Sequence, residues 1–496
     1  MNTEEKEGSQ TPGGEPLSQQ AARGYRWSAV SSAGITAIQV VQILILPRLI
    51  LPAEYGMASA AQMVSGFALA FADLGMSAMV IRRRDATREQ LSRLYLINFV
   101  AGIVATVLVV LSGPALAWYF EEDRLRTLVW WVALPLVIAP LGQQFGLLFQ
   151  RELRFQFLAS IDITATAAGF LVALGAAMQG YSAEALLWGP LTTVTVRSVV
   201  LAITGVKRWP LKFTAGKVDL SGFLSFGAFQ VGERMINFMT SRADQFVIGG
   251  ALGSRSLGHF NLAYQYSMLP LGRVNSTLNV VAFPVFARLQ HDREAIRDRY
   301  LELMGVIMLI NAPLMSGLAA VARHAVPVLA GNGWEETVLP LMWLCMAAMV
   351  RSHANPVGAL LAARGRADLG FYWNVVLFFV EVPVVIIAAS FGDLSLVAAS
   401  SFVLQVLYAP LNYWFLVRPN TGPCLRSYVW AIARPGAAAL CMGLAVAAAD
   451  RWLLDGFGHI FALVVLVTMG VLLYTGLILL FLPDSARRAR QLLLGR

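Results

Sequence analysis

Glu233, Arg234, Arg242 and Asp244 crowd into one short, otherwise apolar stretch of the chain. A charge at the centre of a bilayer costs about 2.5–3.5 kcal/mol on insertion scales, so a segment that keeps four charges cannot face lipid. Asp73, Arg273, Arg351 and Glu381 recur inside other apolar runs. An arginine stays charged in poorly hydrated surroundings, and its planar fork matches the oxygens of a phosphate. Arg234, Arg242, Arg273 and Arg351 therefore have the chemistry of a lining for an anionic substrate. Asp73, Glu233, Asp244 and Glu381 fit a second role, as counter-ions or as groups that take up a proton or sodium ion and couple it to transport. The alternative is that arginines and carboxylates are spent on one another as internal salt bridges. Asp162, Arg197 and Arg434 lie nearer the ends of their runs, where long side chains reach water.

Uncharged polar residues follow helical spacing in the same segments. Ser28, Ser32, Thr36, Gln39 and Gln42 step by three or four, as do Gln230, Arg234, Asn237, Ser241 and Asp244. Two further stretches carry Gln62, Gly66, Asp73 and Ser77, and Asn261, Gln265, Gly272, Asn275 and Asn279. Such seams either glue helices together or line a water-filled cavity where repeats meet. Their equivalent places in two halves of the chain favour the cavity, with Gln39, Gln42, Asn237 and Asn275 as polar contacts for a substrate.

The elements that must carry these residues follow from composition. Hydrophobic residues make up 57% of the 496, charged residues 14%, and mean hydropathy is +0.64. Soluble domains are about a quarter charged, so the chain is an integral membrane protein. Its net charge of +9 needs no nucleic acid, because the polar basic surface that such binding requires is missing. Apolar stretches long enough to span lie at about 27–50, 56–81, 94–118, 127–149, 157–179, 184–205, 221–251, 258–287, 301–323, 337–361, 369–391, 394–417, 428–449 and 457–482. The expected fold class is all-α, with about 14 transmembrane helices. The third, ninth and fourteenth stretches are almost uniformly apolar, as suits a lipid-facing shell. Alternate loops collect 26 of the 38 basic residues and the opposite loops only Arg48, Arg124, Arg126, Arg255, Arg323 and Arg451, which predicts cytoplasmic N- and C-termini.

Residues 1–22 read as a disordered tail without a signal peptide. The expected domains are that tail, an N-terminal lobe over 23–217, a C-terminal lobe over 218–420, and two separable helices with a basic tail over 421–496. Leu51-Pro52-Ala53-Glu54-Tyr55-Gly56 and Leu252-Gly253-Ser254-Arg255-Ser256-Leu257-Gly258 mark the same junction in the two lobes, with Gly56 and Gly258 expected to permit tight turns. Cys345, Cys424 and Cys441 have no metal-like spacing, and His259, His291, His324, His353 and His459 are scattered. No Gly-rich phosphate loop, HExxH or Ser-His-Asp set is present, and no loop is long enough for a catalytic domain. No cofactor, no metal and no enzymatic activity are expected.

Leu257-Gly258-His259-Phe260-Asn261-Leu262-Ala263-Tyr264, Leu269-Pro270, Arg273-Val274-Asn275 and Phe283-Pro284-Val285-Phe286-Ala287-Arg288-Leu289-Gln290-His291-Asp292 together resemble the polysaccharide transporter family of oligosaccharide repeat-unit flippases, in particular the colanic-acid and xanthan type. Ala243 to Gly249 and Phe71-Ala72-Asp73-Leu74-Gly75 fit the same pattern. The resemblance spans roughly residues 23–420 in architecture. It implies the fold of the multidrug/oligosaccharidyl-lipid/polysaccharide superfamily: two six-helix lobes and two extra C-terminal helices. It implies an undecaprenyl-diphosphate-linked oligosaccharide as substrate, turned across the bacterial inner membrane by alternating access, with polysaccharide polymerase or export machinery as partner. Of the candidate residues, Asp73, Asp244, Arg273 and Asn275 fall on its motifs. The alternatives are a cation-coupled drug antiporter of the same superfamily and, less well supported, a membrane polysaccharide polymerase or ligase.

Overall fold

The computed structural model describes residues 17–72, 87–212, 221–453 and 456–481. Helix fills nearly all of them, and no strand occurs among the described residues. The chain is a multi-span membrane protein. Eleven helices are long and apolar enough to cross a membrane among the described residues. The predicted spans 221–251 and 258–287 correspond to two further helical segments, and the described part of the predicted span 56–81 to a third, ending at Ala72.

The helices divide into two compact units. The first holds α1 (Leu17–Leu49), most of α2 (Pro52–Ala72), α3 (Arg88–Tyr119), α4 (Leu125–Arg151), α5 (Phe155–Met178), α6 (Ala183–Arg208) and the start of α7 (Ser221–Arg288). The second holds residues 51–60, 119–121 and everything from 236 onward. It contains the rest of α7, α8 (Arg293–Ala330), α9 (Val338–Arg351), α10 (Val357–Ala363), α11 (Ala367–Ser390), α12 (Leu394–Asn412), α13 (Leu425–Leu453) and α14 (His459–Phe481).

Local sequence sets where several helices start. Thr87 and Gln90 cap α3 reciprocally, Thr87 N donating to Gln90 Oε1 (3.0 Å) and Gln90 N to Thr87 Oγ1 (3.2 Å). Asp292 accepts from the backbone N–H groups of Glu294 and Ala295 at the head of α8, and Asp393 from that of Ser395 at the head of α12. Pro410 precedes a π turn over Tyr413–Val417, the kind of defect that bends a helix.

In the first unit small residues let backbones meet, as membrane helices require. A Cβ on Gly142 of α4 would lie 2.5 Å from Ser198 Cα of α6, and one on Gly169 of α5 would lie 2.5 Å from Gly189 O. Phe145, Leu94, Leu148 and Leu201 fill the core between α3, α4 and α6. Gln62 Nε2 donates to Leu186 O and Gln144 Nε2 to Leu91 O. Arg197 and Asp162, expected to reach separately for water, instead pair across α5 and α6 at 2.7 Å. A neutralised pair is cheaper at depth than two unpaired charges.

The second unit contains the junctions that the sequence marks as repeated. In the second junction the turn is made at Gly253, whose φ of 81° and ψ of 173° suit only glycine, and in the first the helix breaks at Ile50 and Leu51. Gly56 and Gly258, expected to permit the turns, are helical and serve close approach instead. A Cβ on Gly56 would lie 1.7 Å from Ser254 O, and one on Gly258 would lie 1.9 Å from Pro52 O. The two contacts are reciprocal, since 52 and 56 stand to each other as 254 and 258 do. Ser59 and Asn261, one turn further along each helix, share a hydrogen bond.

The two C-terminal helices, expected to be separable, are built into this unit. Ser316 Oγ of α8 donates to Ala439 O of α13 (2.8 Å), and Tyr474 OH of α14 donates to Leu309 O (2.9 Å). His324 of α8 bridges Asp450 and His459 through its two ring nitrogens at 2.5 and 2.9 Å.

Replacing Gly258 by Ala should break the junction, because the contacted atom is a backbone carbonyl that cannot turn away. Overpacking of this kind costs about 1–3 kcal/mol. Gly175→Ala, where nothing lies within 4 Å, should be neutral or slightly stabilising. Thermal unfolding of the two purified variants in detergent separates these outcomes, and equal melting temperatures would refute the contact.

Candidate functional site

A cavity of about 590 Å³ opens inside the second unit, between the two arms of α7, the break between α9 and α10, α11 and α12. Helical periodicity aims the polar residues of each element into it. On α11, Asn374, Leu377 and Glu381 step by three and four, and on α12 Gln405, Tyr408 and Asn412 do the same. The first arm of α7 contributes Thr240, Ser241 and Asp244, and the second contributes Tyr264, Gly272 and Asn275. The helix running from α9 is interrupted by a 3-10 turn at Ser352–Ala354, which leaves Arg351 and His353 at the wall.

Among the described lining residues the charge is concentrated in three side chains. Arg351 lies within electrostatic range of both Asp244 and Glu381, and the two carboxylates act on each other as like charges. No ion pair within 4.0 Å joins Arg351 to either carboxylate among the described residues. Asp244 and Glu381 therefore offset the Arg351 charge at a distance. Asp244 Oδ1 accepts from Gln245 N at 2.7 Å, which fixes the carboxylate at the helix surface. Arg242 is held one step back: its Nη1 donates to Gln245 Oε1 at 2.7 Å, and its guanidinium lies 5.8 Å from the Tyr264 ring.

The uncharged lining suits a hydroxylated ligand. Asn275 Oδ1 accepts from Nδ2 of the fully buried Asn311 at 2.9 Å, which orients its own amide nitrogen. Trp373 and Tyr408 meet edge to face with centroids 6.1 Å apart, giving the cavity an aromatic wall. His353, Tyr408 and Asn412 each carry a buried polar atom with no hydrogen-bond partner among the described residues: His353 Nε2, Tyr408 OH and Asn412 Oδ1. Buried polar atoms are nearly always satisfied, so these three concentrate unused bonding capacity at the cavity wall.

Of the residues picked out by sequence, Asp244, Asn275, Arg351 and Glu381 come together here, and Arg242 stands behind them. Gln39 and Gln42 belong to α1 of the first unit and do not line this cavity. Glu233, Arg234, Asn237 and Arg273 lie on α7, but their side chains fall outside the description, and Asp73 lies outside the described residues. The polar seams split by function. Gln62 and Asn261 join helices, as does Gln265, which accepts from Tyr55 OH at 3.1 Å, whereas Ser241, Asp244 and Asn275 face the cavity. Asn374, seven residues before Glu381, and Gln405, Tyr408 and Asn412, at steps of three and four, join them at the wall, and both spacings are readable in the sequence.

A helical membrane protein whose ionisable residues gather in a polar internal cavity has the architecture of a transporter. Among solved structures, the chain is similar to the lipid II flippase MurJ in an inward closed conformation, with a TM-score of 0.71 and 12% identity over 92% of this chain and 98% of that one. It is also similar to an inward-facing multidrug resistance MATE family transporter, with a TM-score of 0.54 and 14% identity over 81% and 95%. The profile of the family described as "Polysaccharide biosynthesis protein" matches residues 45–339, and the chain belongs to that family. Its relatives include the teichuronic acid biosynthesis protein TuaB of Bacillus subtilis, 30% identical over 86% of this chain and 88% of that one. The lipopolysaccharide biosynthesis protein WzxC of Escherichia coli is 28% identical over 84% and 85%. The succinoglycan biosynthesis transport protein ExoT of Rhizobium meliloti is 24% identical over 94% of both.

Single cysteines test the cavity directly, in a background where Cys345, Cys424 and Cys441 are replaced. Arg351→Cys and Asn374→Cys should react with a small water-soluble maleimide in detergent. Gln245→Cys, at a fully buried position, should stay unlabelled. Protection of Arg351→Cys equal to that of Gln245→Cys would contradict a solvated cavity.

Proposed function

We propose that this protein is a flippase that moves undecaprenyl-diphosphate-linked oligosaccharide repeat units from the cytoplasmic to the periplasmic leaflet of the bacterial inner membrane, for exopolysaccharide or lipopolysaccharide assembly. The observation that carries the reading is the cavity of the second unit, where an arginine without an ion pair among the described residues sits among amides, aromatic rings and two carboxylates. A sugar diphosphate cannot cross hydrocarbon unaided, while its polyprenyl tail can stay in lipid. Arg351 suits the diphosphate oxygens. Asn275, Asn374, Gln405 and Asn412 suit sugar hydroxyls, and Trp373 and Tyr408 offer ring faces to the apolar side of a pyranose. The names of the relatives support this reading, since they belong to the biosynthesis of teichuronic acid, lipopolysaccharide and succinoglycan, one of them as a transport protein.

The energy source in this reading is a cation. Asp244 and Glu381 compete with a diphosphate for Arg351, and a bound proton or sodium ion neutralises them and releases the guanidinium. Alternating access then carries the headgroup across without a continuous pore. No covalent chemistry takes place; polymerase or export machinery acts on the product after it crosses. Both termini lie in the cytoplasm, on the side favoured by the loop arginines. The same two carboxylates carry a second reading, a cation-coupled antiporter for a cationic drug, in which Asp244 and Glu381 bind the substrate directly.

Arg351→Ala should lower the rate at which lipid-linked repeat units reach the periplasmic leaflet by about tenfold or more, the loss expected when one charge-assisted hydrogen-bond partner is removed. Arg351→Lys should recover part of it. Leaflet-specific labelling of lipid-linked oligosaccharide in proteoliposomes measures the effect. Unchanged flipping in Arg351→Ala, together with efflux of cationic dyes lost in Glu381→Gln, would replace the flippase by the antiporter.

A further inference from the structure

The first unit contains a cavity of its own. Its volume is about 640 Å³, and its walls include Arg23 and Trp27 of α1, Glu152 and Arg154 of the turn between α4 and α5, and Phe157 and Ser160 of α5. A smaller cavity of about 310 Å³ shares Arg154 and Phe157 with it and adds Lys207 and Arg208 at the end of α6. We propose that this paired cavity binds the phosphate headgroup of a membrane lipid.

Three observations carry the proposal. The first is charge. Among the described lining residues three cations, Arg154, Lys207 and Arg208, accompany a single carboxylate, Glu152, with Arg23 at the α1 wall. Glu152 is divided between two of them, with Arg208 Nη2 at 2.6 Å and Arg154 Nε at 3.7 Å. Both guanidiniums remain substantially exposed, at 41% and 50% of the side chain, so each has donors left for phosphate oxygens. The second is depth. The apolar segment of α1 begins at Arg26, α4 ends at Arg151, α5 begins at Phe155 and α6 ends at Arg208. The cavity thus lies where four membrane helices leave the hydrocarbon, the level at which lipid phosphates sit. The third is its apolar rim. Phe149 packs against Phe157 and Trp209 at 4.9 Å each, Arg208 lies over Trp209 at 5.4 Å, and Trp27 lines the larger cavity. Aromatic rings at this level mark the interface and give the first methylenes of an acyl or prenyl chain a surface to lie on, which a free phosphate ion would not use.

The turn that presents Arg154 is built for position. Leu153 adopts a left-handed φ of 57°, and Arg154 N donates back to Phe149 O at 3.0 Å, closing α4 in a Schellman-type turn. A leucine holds this conformation only against a steric penalty, so the direction of the Arg154 side chain is set by the end of α4.

Phosphatidylglycerol, cardiolipin and a polyprenyl diphosphate share the chemistry that this cavity reads. Native mass spectrometry of the full chain with phosphatidylglycerol, phosphatidylethanolamine and undecaprenyl diphosphate, each added separately, tests it. The wild-type protein should retain phosphatidylglycerol or the polyprenyl diphosphate in preference to phosphatidylethanolamine. Arg154→Ala/Arg208→Ala should lower that retention about tenfold, while Arg255→Ala, which removes a surface arginine of the second unit, should leave it unchanged. Where the double variant fails to fold, Lys207→Gln carries the test and should still lower retention. Selective loss of phosphatidylglycerol assigns the site to a bulk anionic lipid, and selective loss of the diphosphate assigns it to cargo on its way to the second unit; both support the site. Retention that ignores headgroup charge, or that falls equally in Arg255→Ala, overturns it.

Discussion

Inside hydrocarbon, helices gain nothing from hiding apolar surface from one another, because lipid tails are as apolar as leucine. Cohesion has to come from close contact and from hydrogen bonds, and close contact demands residues without bulk. Gly142 against Ser198, Gly169 against Gly189, and Gly56 and Gly258 against the carbonyls of the opposing helix all answer that demand. The large side chains are left to face lipid or to fill layers such as Phe286, Tyr300 and Tyr413 in the second unit. The rest of the structure depends on this, since only closely seated helices can enclose a polar cavity without flooding the whole bundle.

The same constraint sorts the polar residues. Where two helices touch, an amide or hydroxyl finds a partner on its neighbour, as Gln62 and Asn261 do. Where irregular backbone holds helices apart, the polar residues face open space. The 3-10 turn at Ser352–Ala354 and the π turn after Pro410 both border the cavity of the second unit. Non-helical backbone is tolerated at depth only where protein or water can satisfy it, so the irregularities and the cavity belong together.

Much of this is legible in the sequence because the membrane imposes a coarse code. Span length, loop arginines and the scarcity of buried charge outline an all-helical bundle. The cost of intramembrane charge points to Asp244, Arg351 and Glu381. The code says less about which partner a polar residue finds. Asp162 and Arg197 read as two snorkelling residues because their distance in sequence hides that α5 and α6 are neighbours. Gln265 and Asn275 lie on one seam with one periodicity, yet one is spent on Tyr55 and the other faces the cavity. Gln405, Tyr408 and Asn412 stand out less in the sequence because neutral amides and phenols carry no insertion cost comparable to that of a charge, although they line the same cavity.

The crossing near Gly56 and Gly258 has a consequence for how the chain can change over generations. The four residues Pro52, Gly56, Ser254 and Gly258 occupy one contact in which each glycine receives a carbonyl from the other strand of the repeat. A bulkier residue on one side forces the opposite backbone outward, and that backbone belongs to the matching position of the other junction. The two junctions can drift apart elsewhere, but here each is bound by the other's limits, so a change in one is tolerated only when the other gives way to match.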